Sequence, residues 1–211
     1  MNRITAGLLA IAAATSAGAA EAQSIPTTPF SLEVRGGLAV PTGDFEDAVE
    51  NGYSLGANGT YMFTPQLGVY AGVTFNSFGI TDEVEAFGIE GSVRDYGLDA
   101  GVKAVFATPT LPVSPFIRGG LVYHKADLRI EGDFLDEFGI EDDDLESDYG
   151  LGFELGGGIM IPLGPRLSFT PAVIYTSYEP GTDDETEGAE DLGNGDNLTH
   201  FRVDVGLNIR F

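Results

Sequence analysis

From Phe30 to Phe211, bulky apolar residues alternate with small or polar ones at a period of two, the signature of strands with two chemically different faces. Eight segments carry it: 30–40, 53–63, 67–78, 95–106, 115–126, 149–161, 167–178 and 198–211. Each is 11 to 14 residues long, slightly more than the roughly 9–11 a tilted strand needs to cross a bilayer. No segment after residue 22 has a helical period. One parity of the second segment reads Tyr53, Leu55, Ala57, Gly59, Tyr61, Phe63, and of the fourth Tyr96, Leu98, Ala100, Val102, Ala104, Phe106. The sixth gives Tyr149, Leu151, Phe153, Leu155, Gly157, Ile159, Ile161, and the eighth Phe201, Val203, Val205, Leu207, Ile209, Phe211. The opposite parity holds Gly, Ser, Thr and Asn, along with charges.

The connections alternate strictly in length. Those at 64–66, 107–114 and 162–166 are short, contain proline and lack acidic residues, whereas 41–52, 79–94, 127–148 and 179–197 are long. In an up-and-down meander, alternate connections lie at the same end. The pattern therefore predicts an all-β, eight-stranded antiparallel barrel with one trimmed end and one end of large loops. Outer-membrane barrels have this asymmetry, with short periplasmic turns and longer outside loops.

The rings on the apolar parity decide which face meets lipid. Tyr53, Phe75, Tyr96, Tyr123, Tyr149, Tyr175 and Phe201 fall at the long-loop end, and Phe30, Phe63, Phe106, Phe169 and Phe211 at or near the other. Two belts of rings suit two lipid–water interfaces. The other parity carries Glu33, Asp95, Asp99, Glu154 and Asp204 against Arg35, Lys103, Arg118, Arg202 and Arg210. A charge facing lipid at mid-depth costs up to roughly 2–4 kcal/mol, so these ten are expected inside. Equal numbers of each sign allow pairing as a structural ion network, with Glu33 and Arg210, on the two closing strands, as the first pair to test. Small neighbours such as Gly97, Gly101, Gly150, Gly152, Gly156 and Gly158 leave room for long side chains. Eight strands enclose just enough space for side chains to fill, so the lumen is expected to be plugged.

Composition agrees with this reading. Glycine supplies 30 of 211 residues, about twice the usual ~7%. The apolar run Ala6 to Ala14 is far shorter than the roughly 20 residues of a spanning helix. It fits instead the core of a secretory signal at 1–22, with Arg3 before it and Ala20-Glu21-Ala22 as the cleavage site. A linker at 23–29 and a barrel domain at 30–211 complete the expected organisation. The absence of cysteine excludes a disulfide framework, thiolate metal sites and a cysteine nucleophile.

Together these features resemble the small outer-membrane β-barrel family, eight-stranded proteins such as OmpX and the membrane domain of OmpA. The resemblance covers Phe30 to Phe211 and is sharpest in the last strand, which alternates apolar residues up to a terminal aromatic. It implies a location in the cell outer membrane, contact with outer-membrane lipid, and reading of Phe211 as a signal by the outer-membrane assembly machinery. No peptidoglycan-binding domain is expected after Phe211. A monomer is expected.

The formal charge of −23 is concentrated in the long connections, which hold all the acidic residues except Glu21, Glu33, Asp95, Asp99, Glu154 and Asp204. Only Arg94 and Arg129 oppose them there. The densest runs are 141–148 and 183–187. Such blocks stay solvated and repel nucleic acid. Three uses stay open: a solvated surface tolerated in high salt, weak binding of divalent cations, and recognition of a cationic partner. No EF-hand is present. Asp142, Asp144 and Glu146 have its spacing, but Ser147 stands in place of the glycine and Phe153 in place of the bidentate Glu.

Chemical motifs are few. Gly52-Tyr53-Ser54-Leu55-Gly56 matches a nucleophile elbow, but no helix follows it. His124 and His200 both take the inward parity near the loop end, without a local catalytic signature. No cofactor site, metal site or catalytic residue is assigned, and no enzyme is expected. The expected role is a structural or interaction element of the outer membrane. A narrow or gated pore, a lipid hydrolase and a soluble lipocalin-like carrier stand as alternatives.

Overall fold

The computed structural model describes residues 29–43, 45–81, 90–106, 112–131, 147–181 and 197–211. The expected signal at 1–22, the linker up to residue 28, and the acidic runs at 141–146 and 183–187 lie outside the described residues.

Eight strands form one closed barrel: β1 Phe30–Thr42, β2 Gly52–Met62, β3 Leu67–Gly79, β4 Glu90–Val105, β5 Ser114–Glu131, β6 Gly150–Pro162, β7 Leu167–Tyr178 and β8 Leu198–Arg210. Every strand pairs antiparallel with its sequence neighbours, and β1 closes on β8 from Ser31↔Arg210 to Thr42↔Thr199. At the seam, Phe211 N–H donates to Phe30 O at 3.1 Å. Closure leaves no unpaired edge, which a strand in hydrocarbon could not tolerate.

The alternation sorts side chains as the charge argument requires. Leu98 and Val203 are 57% and 50% exposed, while Arg118 and Glu154 on the other parity are 4% and 2% exposed. The outward rings touch one another around the loop end: Tyr53–Phe75 at 6.1 Å, Tyr123–Tyr149 stacked at 4.8 Å, and Phe153–Tyr175–Phe201 at 6.0 and 5.1 Å. Phe30 and Phe211 meet at 5.9 Å at the other end.

Three features depart from the sequence expectation. First, β4 and β5 run five residues further at the loop end than 95 and 126, staying paired out to Glu90↔Glu131. Charged residues end a bilayer-facing stretch, but in water they do not end a strand.

Second, the first long connection contains a helical turn, α1 Phe45–Ala48. Gly43 turns the chain into it in the left-handed region, at φ 67°, which favours glycine. Four residues are too few to register as a period. The turn inserts Phe45 and Val49 against Ala39 and Phe78, with Val93 and Leu198 beside them. Phe45 meets the Phe78 ring edge-on at 5.1 Å. This apolar group caps the interior at the loop end.

Third, the inward parity is not only small and polar. Tyr70, Phe78, Phe116, Val122, Ile174 and Tyr178 are buried on it. A lumen narrow enough to be packed needs volume as well as charge.

Candidate functional site: the interior ion network

The interior network begins with strand parity. β1 contributes Glu33 and Arg35, β4 Asp95, Asp99 and Lys103, β5 Arg118 and His124, β6 Glu154, and β8 His200, Arg202 and Asp204, all buried. Successive inward residues on one strand stand two positions apart, so each strand adds a column of charges that the neighbouring columns can meet.

Glu154 is the most connected carboxylate. Its Oε1 accepts from the Tyr70 hydroxyl at 2.5 Å and from Arg118 Nη2, and its Oε2 accepts from Arg202 Nη2 at 2.8 Å. One side chain on β6 is thereby tied to β3, β5 and β8. The Arg118 guanidinium also lies over the Tyr70 ring, 3.9 Å from its centroid. From Arg202 the chain of contacts continues: Nη1 donates to Thr74 Oγ1 at 2.8 Å, and that hydroxyl donates to Asp99 Oδ2 at 2.5 Å. Charge-assisted bonds of this kind are about twice as strong as neutral ones.

Towards the loop end, His124 bridges two aspartates. Its Nδ1 lies 2.8 Å from Asp95 Oδ1 and its Nε2 3.0 Å from Asp99 Oδ1. An ionised carboxylate only accepts hydrogen bonds. Either both ring nitrogens carry hydrogen, or one of the carboxyls carries the proton. Asn76 Nδ2 donates to Asp95 Oδ2 at 2.7 Å, and His200 Nε2 stands 3.9 Å from that oxygen. The Phe78 ring of the cap lies 5.5 Å from the His200 ring, so the cap rests on the network.

Towards the short turns the contacts loosen. Arg35 faces Asp99, Asp204 and Glu33 at 3.6, 3.7 and 3.9 Å, ion contacts without hydrogen bonds. Lys103 Nζ is 3.6 Å from Glu33 Oε2 and 4.2 Å from the Phe116 centroid. Asn58 Nδ2 donates to Glu33 Oε1 at 3.4 Å.

Nine of the ten residues expected in the network are thus brought together, and Arg210 is not. Glu33 lies across from Asn208 rather than Arg210, which pairs with Ser31 one inward step nearer the rim. There Arg210 is half-buried and donates to Ser168 Oγ at 2.9 Å. The expected Glu33–Arg210 pair is therefore replaced by Glu33 with Lys103 and Arg35. His124, which the sequence reading placed inward but left out of the network, joins it between Asp95 and Asp99. Tyr70, Thr74, Asn58 and Asn76 were missed altogether. Tyr70 had one legible signal: on its own parity it lies between Gly68 and Gly72, the small neighbours that a bulky inward ring needs.

Among the described residues, Ser54 is buried on the inward parity, His124 is held by Asp95 and Asp99, and His200 by Asn76 and Asp95. Among the described residues, no group of three or more acidic, histidine or cysteine side chains is placed to hold a metal ion.

A family model described as outer membrane protein beta-barrel domain matches residues 6–211. No curated protein matches the sequence. Among solved structures, Neisserial surface protein A is similar at 13% identity and a TM-score of 0.61, with 87% of this chain and 98% of that one covered. A major outer membrane protein from Thermus thermophilus is similar at 18% identity and a TM-score of 0.51, with 86% and 99% covered. At these identities the likeness is one of fold.

Proposed function

We propose a function from this premise: the chain belongs to the outer membrane protein β-barrel domain family, and it resides in the cell outer membrane. It serves there as a closed structural and interaction element, with its acidic loops as the working surface. The observation that carries this reading is Glu154, a single carboxylate tied across the lumen to Tyr70, Arg118 and Arg202. An interior cross-linked in this way, under an apolar cap, leaves little room for a solute to pass. Activity is then left to the ends, and the charge is at one of them.

The same reading assigns the partners. Outer-membrane lipid covers the apolar parity, the assembly machinery reads Phe211, and the barrel works as a monomer. The acidic loops attract divalent cations weakly or a cationic partner, and they repel nucleic acid. No catalysis is assigned. The carrier alternative needs its bulky parity inside, opposite to where Leu98 and Val203 lie.

Reconstitution into planar bilayers tests the closed lumen. The expected result is a silent membrane, and discrete single-channel openings would overturn the reading in favour of a pore. Calcium titration of protease cleavage within 127–148 tests the cation role, with slower cleavage expected. Unchanged cleavage would leave the loops as solvated surface.

A further inference from the structure

The outward side of the barrel carries a second charge pattern, unrelated to the lumen. Of the ten lysines and arginines, Arg3 lies in the expected signal, five take the inward parity, and Arg166 lies in the short β6–β7 connection. The remaining three, Arg94, Lys125 and Arg129, share one parity of one hairpin, β4–β5, at its loop end. Tyr96 pairs with Lys125, Arg94 with Asp127 and Ser92 with Arg129 in successive rows. Lys125 Nζ lies 5.5 Å from the Tyr96 centroid, 5.9 Å from that of Tyr149 and 3.6 Å from Asp127 Oδ1.

Below these rows the outward residues are Leu98, Leu121, Tyr123 and Leu151, all exposed. Lys125 and Arg94 are therefore the first charges met on leaving the hydrocarbon along this flank. At the loop ends of the other strands the next charged residues are acidic. The cationic footing lies on one side of the barrel, with Asp127 among its rows and the Glu90–Glu131 row of the same parity beyond it.

We propose that the outward base of the β4–β5 hairpin docks a phosphate-bearing lipid headgroup of the outward-facing leaflet. Basic residues just above an aromatic belt sit at headgroup depth, and each draws anionic headgroups to it. A guanidinium fork beside an ammonium suits phosphate oxygens. Acidic loops would turn away an anionic polymer approaching from solvent. A lipid arrives sideways within the leaflet, beneath those loops. Asp127 stands 3.6 Å from the Lys125 ammonium and lowers the local charge, and the Lys125 side chain, between the Tyr96 and Tyr149 rings, is 15% exposed. The inference rests on membrane placement alone and is independent of whether the lumen conducts.

The test uses the whole folded protein in detergent, stripped of lipid and titrated with lipid A in its bis-phosphorylated and dephosphorylated forms, with native mass spectrometry as readout. The bis-phosphorylated form is expected to bind about tenfold more tightly, and Arg94→Gln/Lys125→Gln to lose about tenfold of that affinity. Arg166→Gln, at the opposite end, should bind like the parent. Equal binding of the two lipid forms, or undiminished binding by the double variant, would overturn the proposal. So would displacement of the lipid by millimolar inorganic phosphate, which would reassign the site to the free ion. Both positions lie outside the packed interior, and a heat-modifiability gel checks folding. If the double variant does not fold, Lys125→Gln alone is read in the same way.

Discussion

Glu154 is a carboxylate whose partners come from three other strands, so its removal strands charges that have nowhere to go. Glu154→Ala leaves Arg118 and Arg202 buried without their shared acceptor. Breaking one member of a buried pair costs about 3–5 kcal/mol, so the temperature at which the folded band disappears on a heat-modifiability gel should fall markedly. Arg210→Ala serves as the contrast. Its hydrogen bond to Ser168 sits at a half-buried rim, and its loss should cost about 1 kcal/mol or less. Similar losses for both would mean that the network is not what stabilises the barrel. Two adjacent glycines offer a second contrast. A Cβ on inward Gly120 would collide with Ala100 O and lie 2.5 Å from the Tyr70 hydroxyl, whereas on outward Gly119 its nearest neighbour is Leu155 Cδ1 at 3.6 Å. Gly120→Ala should destabilise by about 1–3 kcal/mol and Gly119→Ala hardly at all. Equal midpoints would mean that Tyr70 does not cross the flat backbone there.

At the scale of elements, the strands and the cap differ in how they are held. The strands are paired on both sides all the way round, while α1 rests on the barrel mouth through Phe45, Val49 and two links to the end of β3. These are Glu50 N–H to Gly79 O at 2.8 Å and Thr81 N–H to Ala48 O at 3.4 Å. Phe45→Ala removes the ring packed on Phe78. A fully packed Phe→Ala change costs about 3–5 kcal/mol, and here the loss should fall on opening of the cap alone. Amide exchange at Glu50 and Thr81 is expected to quicken while exchange in β1 and β8 stays slow. Uniform acceleration would mean that the cap and barrel form one cooperative unit. This division also explains what could be read beforehand. A bilayer imposes one chemical face on every strand, so the alternation marked all eight and their facing. Beyond the bilayer that constraint lapses, so the added length of β4 and β5 and the turn at Phe45 left no periodic trace. Pairing inside the lumen depends on the stagger between strands, which parity does not carry. Glu33 sits one inward step from Arg210, and that step separates an ion pair from none.

Across the whole molecule, charge is balanced in one place and unbalanced in another. Five of the bases are turned inward and three gathered under one hairpin, so the interior is close to neutral and the loop end holds nearly all of the −23 charge. Charge gathered at one end casts a field into solvent, and that field is limited by salt. The Debye length falls from about 30 Å at 0.01 M to about 8 Å at 0.15 M ionic strength. Proteoliposomes with the loop end outward should therefore capture oligolysine strongly in dilute buffer and release most of it at physiological ionic strength. The heat-modifiability midpoint should move little over the same range, because buried pairs are screened far less than exposed ones. Orientation can be fixed by protease access to the loops before the titration. Capture that persists unchanged in salt would point to a specific pocket instead of a field. A midpoint that moved in step with the capture would mean that the interior network is open to the surrounding ions, and the closed lumen would have to be abandoned along with it.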